Sequence, residues 1–323
     1  MWAALFPGQG SQSVGMGKFL YENFSIAKQT FEEASDTLKI DFKKLCFEGP
    51  ESELQLTENT QPALLLVSTA TFRVVESIAE INIKAAAGHS VGEYAAVVTS
   101  GALAFTDALR AVRIRGQAMQ KAVPVGEGGM VAVMGLTDDQ VRFLCKWAEK
   151  TSGMRPIEPA NFNAPGQVVI SGSQKLIDWL KVNAKPEIFA PENPRLKMIP
   201  LAVSAPFHCS LMKPAEEEMG RVLSDIPFKD AKWPIVQNFT AKETTNGEEL
   251  RKNLVYQVSG PVRWTQCMAR LKELGCVRAI EFGAGRVLTG LAKKIDSNAP
   301  PPFNINTLDE LKALEAALKE NGN

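Results

Sequence analysis

Histidine is scarce in this 323-residue chain, with only His89 and His208 present. The cysteines, Cys46, Cys145, Cys209, Cys267 and Cys276, are odd in number and never fall in C-x-x-C spacing. A zinc centre therefore lacks its usual ligands, and a disulfide framework has no pattern to rest on. Free thiols in a reducing, cytoplasmic setting are the expectation. Charge of either sign is also missing in excess, since 36 Lys and Arg face 36 Asp and Glu. That balance removes the electrostatic case for a nucleic acid or a membrane surface as partner. No apolar run is long enough to span a bilayer. The opening residues, Met1 to Gly8, have neither the basic start nor the apolar stretch of a secretion signal. Internal repeats and low-complexity tracts are absent. What remains is ordinary for a globular protein, 45% hydrophobic and 22% charged, and long enough for one large domain or two.

The most informative stretch is Gly88-His89-Ser90-Val91-Gly92. It follows an apolar run, Ile83 to Ala87, and leads into a helix-like segment from Glu93. Strand, sharp turn and helix is the setting in which Gly-x-Ser-x-Gly becomes a nucleophile elbow. The serine takes a strained backbone conformation that points its oxygen outward, and glycines two residues either side let strand and helix approach. The helix N-terminus beneath favours an oxyanion.

Around this stretch the chain alternates strands and helices. Trp2–Phe6 reads as a strand ended by the loop Pro7-Gly8-Gln9-Gly10-Ser11-Gln12. That loop lacks the Lys-Ser/Thr of a P-loop; it is either a phosphate cradle of another kind or a tight turn. Helices are expected near Lys18–Tyr21, over Ser25–Leu38, and from Ala63 to Ile78 after Thr60-Gln61-Pro62. Others run from Glu93 to about Ser100 and, capped by Thr106-Asp107, to about Lys121. After a Gly-rich linker at 126–129 the pattern changes. Met130–Met134, a helix with the capping box Thr137-x-x-Gln140, Ile157–Phe162, Gln167–Ser171, a helix capped by Ser173, and Leu196–Val203 give the order β-α-β-β-α-β. This is the order of a ferredoxin-like module, here inserted into a larger α/β domain. Beyond it come Pro234–Asn238, helices over Glu248–Val258 and Trp264–Leu274, the strand Val277–Phe282, a helix to Ile295, and a last strand and helix. Gly283-Ala-Gly285 lacks the third glycine of a dinucleotide turn and reads as a plain strand-to-helix turn.

Two further residues stand out. On the helix ending near Lys121, Arg110, Arg113, Gln117, Gln120 and Lys121 share one polar arc, while Arg115 falls in the middle of the apolar one. A buried guanidinium needs an anionic partner, either an internal carboxylate or the carboxylate of a substrate. Ser90 in turn needs a base. His89 is its neighbour on a sharp turn, where adjacent side chains diverge, so His208 is the partner by elimination. The group orienting His208 could be a carboxylate, a side-chain amide or a main-chain carbonyl.

Several motifs occur together in order: Phe6-Pro-Gly-Gln9-Gly-Ser-Gln, Gly88-His-Ser90-Val-Gly-Glu93, Arg115-Gly116 with Met119-Gln120, Asn161-Phe-Asn163-Ala-Pro-Gly-Gln167, Phe207-His208-Cys-Ser-Leu-Met, and Gln257 with Pro261-Val-Arg-Trp264. In this the chain resembles the malonyl-CoA:acyl carrier protein transacylase family of bacterial fatty-acid synthesis over nearly its whole length. The resemblance implies an α/β-hydrolase-like catalytic domain with a parallel-sheet core, residues 1–125 and 204–323, and a ferredoxin-like small domain, residues 126–203. It implies Ser90 as the nucleophile carrying a malonyl ester and His208 as general base and then acid. The main-chain carbonyl of Gln257 would orient His208, and the N–H groups of Gln9 and Val91 would form the oxyanion hole. Arg115 would hold the malonyl carboxylate, with Gln9, Phe207, Asn161 and Asn163 lining the substrate site and Phe207 favouring malonyl over methylmalonyl groups. Malonyl-CoA and acyl carrier protein would be the partners, and neither metal nor other cofactor is implied. The acidic carrier would meet basic residues at the mouth, with Arg286, Lys293 and Lys294 as candidates. A serine hydrolase or thioesterase shares Ser90 and His208 but has no use for Arg115, and an acyltransferase of a polyketide pathway shares all three. A non-catalytic acyl-CoA-binding or scaffold protein would not need Ser90 at all.

Overall fold

The computed structural model describes residues 1–320. Among the described residues ten strands form two sheets: β1 (Trp2–Phe6), β2 (Ile83–Gly88), β3 (Gly128–Met134), β4 (Ile157–Ala164), β5 (Gln167–Ser173), β6 (Lys197–Pro200), β7 (Ile235–Val236), β8 (Glu243–Thr244), β9 (Arg278–Glu281) and β10 (Phe303–Asn304). The larger sheet has the order β10-β9-β1-β2-β7-β8. All its pairings are parallel except that of β8, which lies antiparallel at the edge. The smaller sheet has the order β4-β5-β3-β6 and is antiparallel throughout. The molecule is thus an α/β protein.

Side chains alternate across the larger sheet with the period of a strand. Ala4, Phe6 and Ala86 point into the principal core, against the helix Thr57–Ile78. Ala3, Leu5, Ala85 and Ala87 point the other way, onto Trp264, Leu271 and Leu288 of the later helices. Parallel strands covered on both faces read as nearly continuous apolar runs, which is how Trp2–Phe6 and Ala85–Ala87 appear in the sequence. The smaller sheet has a core of its own, built on Val131, Val133, Leu144, Ile170 and Leu176. It is stitched to the larger unit by β4: Phe162 N–H donates to the Val262 carbonyl at 2.9 Å, and Val262 N–H to Ala160 at 2.8 Å.

Several boundaries differ from those expected of the sequence. The helix expected from Ala63 begins at Thr57, with Pro62 inside it. Pro62 has no N–H to give the Glu58 carbonyl four residues back, and Arg113 supplies that donor at 2.8 Å. The next long helix begins at Phe105, not at a Thr106-Asp107 cap. Ser173 precedes its helix without a capping bond, whereas the Thr137–Gln140 capping box is present in both directions. Short helices at Phe42–Phe47 and Glu51–Leu54 and the edge strand β8 carry too few periods to be legible. Strand β6 covers only Lys197–Pro200 of the expected Leu196–Val203. The Gly-rich linker is shorter than expected, because Gly128 and Gly129 already pair with Ser173 and Gly172.

Candidate active site

Strand β2 ends at Gly88, Ser90 sits on the turn with a φ of 53°, and a helix runs from Gly92 to Thr99. The two glycines are required by contact. A Cβ on Gly88 would lie 2.0 Å from Gly92 backbone, and one on Gly92 would lie 2.2 Å from the Phe6 carbonyl oxygen. The Pro7–Gln12 loop packs onto the same turn, since His89 N–H donates to Phe6 and a Cβ on Gly8 would strike the His89 carbonyl. This contact places Gln9 beside the elbow, its side-chain amide 3.4 Å from the Thr57 hydroxyl. Among the described residues, the main-chain N–H groups of Gln9 and Val91 find no acceptor. Two N–H groups without a partner on adjoining turns are what an oxyanion requires.

Ser90 Oγ lies 2.7 Å from His208 Nε2. His208 also has a positive φ, 60°, and is buried. Its Nδ1 faces two carbonyls, Gln257 at 2.9 Å and Gly260 at 3.2 Å. Carbonyls only accept, so Nδ1 carries the proton and Nε2 is the acceptor for the serine hydroxyl. Of the alternatives open in the sequence, it is main-chain carbonyl that meets Nδ1. Burial first, and then the charge of Arg115, push the His208 pKa down to about 3.

The base form therefore persists as pH falls through the ordinary value of 6.5. The expected kcat/KM profile for any reaction in which His208 activates Ser90 is flat from about pH 8 to about pH 5, and an acid limb centred near 6.5 would contradict it. The same depressed pKa contributes stability that is present above 6.5 and lost as pH falls toward 3, measurable as a falling Tm.

Arg115 is 1% exposed. Its Nη1 donates to Gln61 Oε1 at 2.8 Å, and its Nη2 to Gln257 Oε1 at 3.0 Å and to Ser90 Oγ at 3.3 Å. Its Nε has no partner. No ion pair engages it among the described residues, so the internal salt bridge that periodicity left open is not formed. Burial pulls its pKa down, with Tyr94 and Glu93 opposing, but a guanidinium starts high enough to stay charged. The guanidinium is thus held by neutral amides beside Ser90.

The remaining expected positions divide. Asn163 Oδ1 meets His89 Nε2 at 2.8 Å, and the His89 ring lies against Trp264, so His89 is turned away from the Ser90–His208 pair. Phe207 precedes His208 and joins the principal core. Asn161 bridges to Val262 through its backbone, with no side-chain hydrogen bond among the described residues. Of the three basic residues at 286–294, Arg286 pairs with Glu310 and Lys294 donates to Gln167 at 2.8 Å. The sequence reading missed Gln61, the side chain of Gln257, and Asn238. Gln61 could have been noticed as an amide near the start of a helix that is apolar almost all round. Asn238, two residues beyond the end of strand β7, carries no sequence signal.

A serine at the carboxyl end of a parallel sheet, bonded to a buried neutral histidine, defines a class: α/β proteins built for covalent acyl chemistry. Residues 4–292 match the family described as acyl transferase domain. The malonyl CoA-acyl carrier protein transacylase of Bacillus subtilis (strain 168) is 43% identical over 296 residues, covering 91% of this chain and 90% of that protein. The structure of the malonyl CoA-acyl carrier protein transacylase of Coxiella burnetii superposes with a TM-score of 0.91 at 35% identity, covering 98% and 97% of the two chains. A malonyl-transacylase in complex with its type II PKS acyl-carrier protein superposes at 0.90, with 40% identity and 99% of each chain covered. The chain belongs to the acyl transferase domain family and, within it, to the malonyl CoA-acyl carrier protein transacylases.

Proposed function

We infer that this chain transfers the malonyl group from malonyl-CoA to the phosphopantetheine thiol of acyl carrier protein, through an ester on Ser90. The observation that carries the reading is the unneutralised guanidinium of Arg115, 3.3 Å from Ser90 Oγ. The malonyl carboxylate would sit on Arg115 with the thioester carbonyl at Ser90. His208 Nε2 takes the hydroxyl proton as Oγ bonds to the carbonyl carbon. The oxyanion is received by the N–H groups of Gln9 and Val91, each such donor being worth about 2.7–4 kcal/mol. The carbon–sulfur bond then breaks, and His208 returns its proton to the departing CoA sulfur. The carrier's thiol enters, gives its proton to His208 and attacks the ester carbonyl; the carbon–Oγ bond breaks and His208 returns the proton to Ser90 Oγ. Every proton is handled by His208, so the steps need neither a metal nor a redox cofactor. The bound malonate would also cancel the Arg115 charge that depresses the His208 pKa, so the base strengthens when the correct acyl group arrives.

In this reading, residues 1–125 and 204–320 form the α/β-hydrolase-like unit, the last three residues of the expected 204–323 lying outside the described residues. Residues 126–203 form a ferredoxin-like insertion whose β4 closes one side of the site. Phe207, Asn161 and Asn163 line the acyl and pantetheine path. Carrier docking falls to Lys293 and to the exposed Arg286 and Lys294, which would exchange their present partners for the acidic carrier.

Brief exposure to malonyl-CoA should leave one malonyl group on Ser90, seen by intact-protein mass spectrometry. Initial rates with both substrates varied should give the parallel lines of a ping-pong scheme. Rapid release of free malonate, undiminished by a thiol acceptor, would assign the site to a hydrolase.

A further inference from the structure

Asn238 is fully buried, and all of its polar groups are engaged. Its Oδ1 accepts from Ser90 N–H at 2.7 Å, and its Nδ2 donates to the Gly88 carbonyl at 2.7 Å. Its own N–H donates to Glu93 Oε2 at 2.7 Å, and its carbonyl accepts from Arg263 N–H at 3.1 Å. The amide thus grips the backbone on both sides of His89, as a neighbouring strand would. Its orientation is fixed by its partners, because a flipped amide would set donor against donor at Ser90 and acceptor against acceptor at Gly88. Glu93 lies on the helix behind the elbow and also accepts from Gln237 Nε2 at 3.2 Å, so the grip is anchored to both flanking elements. The amide of Gln257, whose carbonyl orients His208, donates to the Ser90 carbonyl at 3.1 Å and stands 3.4 Å from Asn238 Oδ1.

We propose that Asn238 is a positioning residue for acyl transfer. It clasps the Gly88–Ser90 backbone and so sets the direction of Ser90 Oγ toward His208 and of the next N–H, that of Val91, toward the oxyanion. A residue at φ 53° is held in a sparsely populated well, and only such over-determination by neighbours keeps it there. The clasp does not touch Arg115, so it governs the chemical step and not the recognition of the acyl carboxylate. This rests on Ser90 being the nucleophile.

The test uses the full chain with Asn238→Leu, which keeps the size and removes every side-chain hydrogen bond, and Asn238→Asp, which keeps the acceptor for Ser90 N–H. Rapid-quench mass spectrometry gives the rate of malonyl-enzyme formation across malonyl-CoA concentrations, and a fluorophosphonate reports the reactivity of Ser90 without malonyl recognition. The Leu variant is expected to lose roughly 100-fold in the limiting acylation rate, as a misplaced reacting atom does. Its half-saturating malonyl-CoA concentration should stay within about threefold, and phosphonylation should slow in parallel. The Asp variant should recover part of both rates. Wild-type acylation in the Leu variant, a loss confined to half-saturation, or equal losses in both variants once rates are divided by the folded fraction would each overturn the clasp. Should the Leu variant fail to fold, the Asp variant decides alone: a slower limiting rate with unchanged half-saturation supports the proposal, and unaltered kinetics refute it. Malonylation persisting in Ser90→Ala would instead bring down the nucleophile assignment itself. An inert Ser90→Ala beside an unimpaired Asn238→Leu removes only the clasp.

Discussion

Arg115→Ala is expected to lower kcat/KM for malonyl transfer by about 3–5 kcal/mol, the cost of breaking a buried pair. At 1.36 kcal/mol per factor of ten this is a loss of roughly 10²–10⁴-fold. Acetyl transfer should change far less, because an acetyl group offers no carboxylate to the guanidinium. The structure sharpens the contrast. Arg115 is held by two glutamine carbonyl oxygens, from Gln61 and Gln257, and not by a carboxylate. The incoming anion therefore displaces no existing ion pair, and its attraction is available to binding. Removing the side chain also leaves Gln61 and Gln257 without their donor, so Arg115→Lys is the companion variant. Lysine keeps the charge but cannot reach three partners from one planar fork, and should fall between wild type and alanine. Steady-state assays with malonyl-CoA and acetyl-CoA side by side decide the matter. Equal losses for both would make Arg115 a structural arginine.

The second large effect is expected at the Ser90–His208 pair. His208→Ala should lower acylation by roughly 10²–10⁴-fold, the usual worth of a positioned general base. Ser90→Ala should abolish the covalent intermediate altogether. The two should not add: the double variant is expected to be no worse than Ser90→Ala alone, since the base has nothing to activate once the hydroxyl is gone. Ser90→Ala leaves the backbone bond from Ser90 N–H to Asn238 in place, whereas His208→Ala takes the Nδ1 donor from the Gln257 and Gly260 carbonyls, so rates are divided by the folded fraction. Quantitative intact-mass measurement of the malonyl adduct in each variant tests the pair directly. A malonyl ester forming on Ser90 at an undiminished rate in His208→Ala would remove the histidine from the mechanism.

Much of this site was legible before the fold because its chemistry is concentrated in short motifs. Ser90 announced itself through glycines two residues either side, which the structure explains by backbone approaches of 2.0 and 2.2 Å to a would-be Cβ. Arg115 announced itself by standing on the wrong side of a helix, a signal that periodicity carries unaided. His208 followed from scarcity, the other histidine being adjacent to the serine. The Gln257 carbonyl came from family resemblance, because backbone groups leave no mark on side-chain pattern. Helix ends were less legible than helices: Pro62 looks like a start, but lies inside a helix that Arg113 repairs.

By itself the sequence determined which residues are able to do chemistry and which faces must be buried. Those are local properties, set by side-chain type and by periods of two and 3.6 residues. Tertiary structure alone decided the distances. Ser90 and His208 are 118 residues apart in the chain, and their 2.7 Å contact exists only because the turn after β2 and the turn ahead of the helix Lys213–Ser224 are packed against each other. It also decided that Arg115 meets amides and not a carboxylate, and that Asn238, just beyond β7, reaches the elbow at the end of the neighbouring strand β2. Nothing in a one-dimensional pattern specifies which of many buried polar groups will meet, because each such meeting is settled by the packing of all the elements between them.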